Sequence, residues 1–236
     1  MKRTIEYSDS IIADIARRES QIEDPDDSSQ WIAYDSGLKR MDFGFKYVLN
    51  ALGFSSLQGV RDTLTQPDHR PTGLELAGQG KTFTELGIGG VACCLAIPNF
   101  LVQPADDETR LRRKKLAKDE ATVALVAGDL GQPSTFEEIR TCFRQEEIEK
   151  PSLILLTPAG GIGYLPEQQE FIDRIVKPAI ELCDPDHFAF IGETPKGTEL
   201  HLRTFFEILR ADTGAQTTIR KCGETPIFGI FRNKST

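Results

Sequence analysis

The sequence predicts an α/β protein: a doubly wound, seven-stranded sheet, mostly parallel, closed by a C-terminal antiparallel hairpin and preceded by an N-terminal helical cap. Three observations lead there. From about residue 72 onward, strand-like and helix-like patterns alternate, as in βαβ units. Several strand candidates are continuous apolar runs, the pattern of strands buried on both faces of a parallel sheet. The last two strand-like runs are joined by "GETP" alone, too short for the crossover that parallel neighbours need, so they must pair antiparallel.

Residues 1–70 read as a helical cap or lid. "SDSIIADIARRESQIED" places Ile11, Ile12, Ile15 and Ile22 near helical spacing, with Ser8 or Asp9 as N-cap. "DPDDSS" is a loop of residues that bond their own backbone. "QWIAYDSGLKRMDFGFKYVLNALGF" is a second helical region, carrying Trp31, Tyr34, Phe43, Phe45 and Tyr47. Packed on a core, these aromatics make a cap; set over a pocket they make a lid, with Tyr34 facing substrate. Residues 71–236 make the α/β domain. Its strand candidates are 73–77, 90–97, 122–128, 152–157 and 187–193, followed by "AQTTIRKC" and "TPIFGIFR". A short helix starts near Lys81, and further helices cover 106–119, 135–150, 166–183 and 198–212.

Composition excludes some functions. The 236 residues suit one large domain with an extension. A formal net charge of −8 disfavours sequence-blind nucleic-acid binding, although "RLRRKKLAK" (110–118) is a basic run. That run is either a solvated helix face or a contact for an acidic substrate such as RNA. No apolar run reaches the roughly 18 residues of a membrane span, and the N-terminus lacks a signal-peptide core, so a cytoplasmic location is expected. The five cysteines contain no CxxC pair, and the three histidines lie apart from them, so no metal site is expected. There is no GxSxG for acyl transfer.

The stretch "TGLELAGQGKTFTELGIGG" (72–90) approaches three signatures. "GQGKT" echoes a P-loop tail, but Glu75 stands where that loop needs glycine. Gly78 and Gly80 begin a dinucleotide fingerprint, whose third position is the bulky Phe83. The acid itself carries the third. With Glu75 at the end of the first strand, then small residues and a helix, the segment resembles motif one of the class I S-adenosylmethionine-dependent methyltransferases. Ala77, Gln79 and Lys81 occupy that motif's usual glycine positions, and Gly78 and Gly80 are displaced by one. The resemblance covers roughly residues 70–232 and includes the element order and the closing hairpin.

This resemblance implies S-adenosylmethionine as cofactor and a methyl acceptor, small or macromolecular, that the sequence leaves unnamed. Glu75, Ala77, Gly78 and Gly80 would build the cofactor turn. Asn99, in "LAIPNF", falls where the family usually has an acid holding the ribose. Asp129, flanked by Gly128 and Leu130, falls where an acid faces the adenine amine; read alone, it is equally a turn or N-cap residue before the next helix. Thr157 opens the loop after the fourth strand, which in the family faces methyl group and substrate. Pro158, Gly160, Gly161 and Tyr164 follow as substrate-pocket candidates, and the same glycines could equally form a flexible connection. A non-catalytic binding or scaffold module on this fold, and a nicotinamide-dependent oxidoreductase, stay open as alternatives.

Overall fold

The computed structural model describes residues 37–66, 70–78, 80–95, 123–145, 147–157 and 165–234. The expected helix at 8–24, Trp31, Tyr34, Asn99, the basic run at 110–118, and the loop residues Pro158, Gly160, Gly161 and Tyr164 lie outside the described residues. The described strands are β1 (Gly73–Leu76), β2 (Gly90–Leu95), β3 (Val123–Gly128), β4 (Leu153–Leu156), β5 (His187–Glu193), β6 (Gln216–Cys222) and β7 (Thr225–Asn233). The helices are α1 (Leu38–Ala51), α2 (Leu57–Leu64), α3 (Lys81–Leu86), α4 (Pro133–Gln145), α5 and α6 (Glu199–Thr213). Helix α5 begins as Gln168–Phe171, passes through a π-helical stretch at Ile172–Val176 and continues as Lys177–Leu182.

One seven-stranded sheet results, in the order β3-β2-β1-β4-β5-β7-β6. Its first five strands pair in parallel, and β7 runs antiparallel to both β5 and β6. The chain therefore winds outward from β1 through β2 to β3, then returns to build β4 and β5 on the other side. The point of reversal lies between β1 and β4, and in open α/β sheets ligands bind at the carboxyl ends of strands at such a point.

The apolar runs are explained by burial on both faces. Side chains alternate along a strand, and in β4 Ile154 and Leu156 enter one core while Leu153 and Leu155 enter the other. The first core takes Phe136 and Ile139 from α4, Phe171, Ile172, Ile175 and Val176 from α5, and Leu202 and Phe206 from α6. The second takes Met41, Phe45, Val48 and Leu49 from α1, Leu57, Val60 and Leu64 from α2, and Phe83 from α3. A strand so enclosed has no polar side to display.

Helix α1 packs closely because Gly229 of β7 has no side chain. A Cβ there would meet Val48 Cγ1 at 2.5 Å and Leu52 Cδ1 at 2.8 Å. Its first turn has no capping side chain of its own, and the Glu85 carboxylate of α3 accepts from Leu38 N instead. The single helical region expected over 30–54 ends at Ala51, and Gly53, at φ +91°, turns the chain into α2. Ser56 caps α2 by accepting from Gly59 N at 3.2 Å, and Asp42 of α1 accepts from Leu57 N at 2.7 Å. The second of these bonds joins the two helices.

Two strands are shorter than expected at their carboxyl ends. Ala77 leaves β1 because its φ is +61°, outside extended geometry. Thr157 falls one residue beyond β4, although its N–H still donates to Leu76 O at 3.2 Å. Both departures lie at the switch point.

Candidate active-site crevice at the strand ends

The turn after β1 is built around its own acid. Glu75 is 1% exposed, and its Oε2 accepts from Gly80 N at 2.6 Å. The carboxylate folds beneath the turn, where a Cβ on Gly78 would lie 2.3 Å from Glu75 Cδ. Gly80 is left-handed at φ +81°, and a Cβ there would meet Val123 Cγ1 at 2.5 Å. Ala77 is also left-handed, a conformation that side chains other than glycine adopt at a cost of order 1–3 kcal/mol. So the backbone follows a glycine path at 77 although the sequence supplies alanine. Glu75 and Gly78 thus fill each other's space, and Ala77 lies between them at the switch point.

The turn after β3 is also self-contained. Asp129 is 8% exposed; its Oδ1 accepts from Gly131 N at 2.8 Å, and Oδ2 accepts from Gln132 Nε2 at 3.4 Å. Thr135 Oγ1 donates to Asp129 O at 2.6 Å, and Arg174 of α5 donates to Gly131 O at 3.3 Å. These are the bonds of a side-chain-closed turn that starts α4. Gly128 leaves room for Thr135, whose Cγ2 would sit 2.5 Å from a Cβ, and Leu130 is fully buried in the first core. The carboxylate, Gly128 and Leu130 are therefore each committed to packing or turn closure. They sit two strands from β1, roughly 10 Å at ordinary strand spacing.

Thr157 stands apart from these. It is 5% exposed, and its Oγ1 has no hydrogen-bond partner among the described residues. An unpaired buried hydroxyl costs roughly 1–3 kcal/mol, so its survival at the switch point is informative. The strand registers place it in a row. Leu76 pairs with Leu156, and Leu156 with Gly192, so the next residues across β1, β4 and β5 are Ala77, Thr157 and Glu193.

Glu193 was missed in the sequence, where it reads as the polar end of a strand. Its carboxylate makes no hydrogen bond among the described residues. Burial raises its pKa above the ordinary 4.5, while the nearby charge of Arg40, on α1, acts in the opposite direction. Arg40 also lines an open cavity of about 450 Å³ with Gly37, Lys39, Phe43 and Glu85, where Phe43 is 76% exposed. Among the described residues no group of three or more His, Cys, Asp or Glu side chains could hold a metal ion. Nor is any described helix long and apolar enough to cross a membrane.

A sheet in this order, with β7 alone reversed, has the class I methyltransferase-like architecture. The chain aligns at low identity with solved structures of proteins described as methyltransferases. An O-methyltransferase family protein from Burkholderia thailandensis is 14% identical, with a TM-score of 0.43 over 96% of this chain and 70% of that one. A Streptococcus mutans protein in complex with SAH is 11% identical, with a TM-score of 0.42 over 72% and 94%. The rRNA methyltransferase aviRa from Streptomyces viridochromogenes is 12% identical, with a TM-score of 0.44 over 87% and 92%. No protein-family model and no curated protein sequence matches the chain.

Proposed function

We propose that the chain binds S-adenosylmethionine at the β1–β4 switch point and transfers its methyl group to an acceptor. The carrying observation is Ala77, held at φ +61° at the first glycine position of the motif that the segment resembles. The turn keeps a costly backbone path without the residue that would make it cheap, which is understandable if that path approaches a ligand closely. The orphan Thr157 hydroxyl beside it fits a polar, nucleoside-bearing group. Ala77 and Thr157 would border the cofactor, while Glu75 and Asp129 would hold the two turns in shape. When bound, the cofactor supplies an already activated methyl, and the chain's part is to orient the acceptor and exclude water.

A second reading is a non-catalytic binding module on the same fold. It is favoured by the commitment of both the Glu75 and the Asp129 carboxylates to bonds within their own turns. Titration calorimetry with S-adenosylmethionine, S-adenosylhomocysteine and NAD separates these readings. The methyltransferase reading expects both sulfur ligands to bind and NAD not to. Saturation at a hundred times Kd should then stabilise the protein by about 2.7 kcal/mol. Absence of binding by either sulfur ligand at millimolar concentration ends this reading. Binding of both, with no methyl transfer to any acceptor in a screen of proteins, RNA and small molecules, favours the non-catalytic module.

A further inference from the structure

Helix α1 turns an uneven face away from the sheet. Met41, Phe45, Val48 and Leu49 enter the core, so the opposite side of the helix presents Lys39, Phe43, Lys46 and Tyr47, with Arg40 at its margin. Phe43 is 76% exposed and Tyr47 57%. One turn separates the two rings, about 6 Å along the axis. Asp42 is the only acid of α1; it lies toward the core side and accepts from Leu57 N. The outer face therefore carries one sign of charge, where a solvated helix face normally mixes both. Arg40 acts on Glu193 of β5. Lys39 and Lys46 make no ion pair among the described residues. Lys39 also stands in the first turn, where the positive end of the helix dipole disfavours a cation and α1 has no acid to offset it.

We propose that this face of α1 binds single-stranded RNA, with bases stacked on Phe43 and Tyr47 and phosphates held by Lys39 and Lys46. The cations call for an anion and the open rings for flat partners, and a single strand brings both at short intervals. Lys39 and Lys46 lie one turn before and one turn after Phe43, so a phosphate can be held on either side of a stacked base. Beside Phe43 opens the cavity of about 450 Å³ that Gly37, Lys39, Arg40 and Glu85 complete, which leaves room for a base against the ring. Glu85, the acid there, is engaged by Leu38 N. A duplex does not suit the face, because its bases are closed within the stack. The Tyr47 hydroxyl and the exposed Asn50 amide add neutral groups that bond a 2′-hydroxyl, which favours RNA over DNA. The formal charge of −8 opposes long-range attraction. Binding should therefore be weak, about 1–100 μM, and sensitive to salt. None of this depends on methyl transfer.

The test uses the full chain and a fluorescein-labelled oligouridine of about 12 nucleotides, followed by anisotropy without cofactor at about 50 mM salt. Saturable binding is expected. Phe43→Ala with Tyr47→Ala should weaken it about tenfold or more, as the loss of two stacked bases requires. Lys39→Gln with Lys46→Gln should lower the slope of log affinity against log salt by about 1.4, or about 0.7 for each phosphate released. All four side chains are exposed, so both double variants should keep the wild-type circular dichroism. Leu200→Ala with Ile208→Ala, exposed apolar residues of α6, should bind as the wild type does. Duplex RNA and oligodeoxyuridine of the same length should each bind about fivefold more weakly or worse. No saturable binding, unchanged affinity in both double variants, or equal binding of the duplex or the DNA overturns the proposal. The rival occupant is the acidic stretch just ahead of α1, "EDPDDSSQWIAYDS" (23–36). If that stretch covers the face, Phe43→Ala with Tyr47→Ala will change the fluorescence of Trp31, the only tryptophan, while the wild type binds no RNA. That result also overturns it. Calorimetry with S-adenosylmethionine on the same samples keeps the two readings apart, since either ligand can fail to bind while the other succeeds.

Discussion

Thr157→Val should make the ligand-free protein more stable. Valine has nearly the shape of threonine, so no cavity opens. What disappears is a hydroxyl that is 5% exposed and has no partner among the described residues. Leaving such a group unbonded costs roughly 1–3 kcal/mol, and a value near the bottom of that range suits a site at the end of a strand. Both residues are β-branched, so the entropy lost on folding hardly changes. A gain of about 1 kcal/mol in a chain of this size corresponds to a rise in Tm of roughly 2–4 °C. Differential scanning calorimetry without ligand reads it directly. A fall in Tm of a degree or more would mean that the hydroxyl is bonded within the protein, and the case for Thr157 as a ligand group would collapse.

Neighbouring positions in the β1 turn should respond in opposite ways. Gly78→Ala drives a Cβ to 2.3 Å from the Glu75 carboxyl carbon, and should cost about 1–3 kcal/mol in urea denaturation. Ala77→Gly relieves a left-handed alanine that costs of order 1–3 kcal/mol but frees the unfolded chain by about 0.4–1 kcal/mol, so it should leave stability unchanged or raise it by up to about 2.5 kcal/mol; a large loss would contradict the φ on which the argument rests. Glu193→Gln should give a pH-dependent gain. The folded pKa is raised by burial above the ordinary 4.5, even against the opposing charge of Arg40, so the folded state holds its proton more tightly than the unfolded one. The wild type therefore loses stability as pH rises from 4.5 through the folded pKa, and glutamine does not. The Tm difference between variant and wild type should be small at pH 4 and larger at pH 7. A difference independent of pH would remove burial of the charge as its cause.

Strand positions were legible because full burial leaves a continuous apolar run, and "SLILLT" or "HFAFIGE" has few other uses. The closing hairpin was legible from loop length alone. What could not be read was which group each acid serves. Glu75 stands where a cofactor contact is expected, yet the partner of its Oε2 is decided by the path of the turn, which brings Gly80 N to 2.6 Å. Asp129 carries the same ambiguity, and the structure gives its oxygens to Gly131 and Gln132. Glu193 escaped notice because its importance comes from the register with β4, a pairing between residues far apart in sequence that no local pattern encodes. The break between α1 and α2 was hidden because one glycine, Gly53, and one serine cap, Ser56, suffice to make it.

The layer formed by α1 and α2 bears on how the molecule can be taken apart. Sequence composition divides the chain near residue 70, but Phe45, Val48 and Leu57 share a core with Leu153, Leu155, Ile191 and Phe231 of the sheet. A fragment begun at residue 71 would carry that sheet face bare to water. Such a face is an adhesive surface, prone to self-association before it could be assayed. The boundary that the eye finds in the sequence is therefore one that a cloning design should not follow.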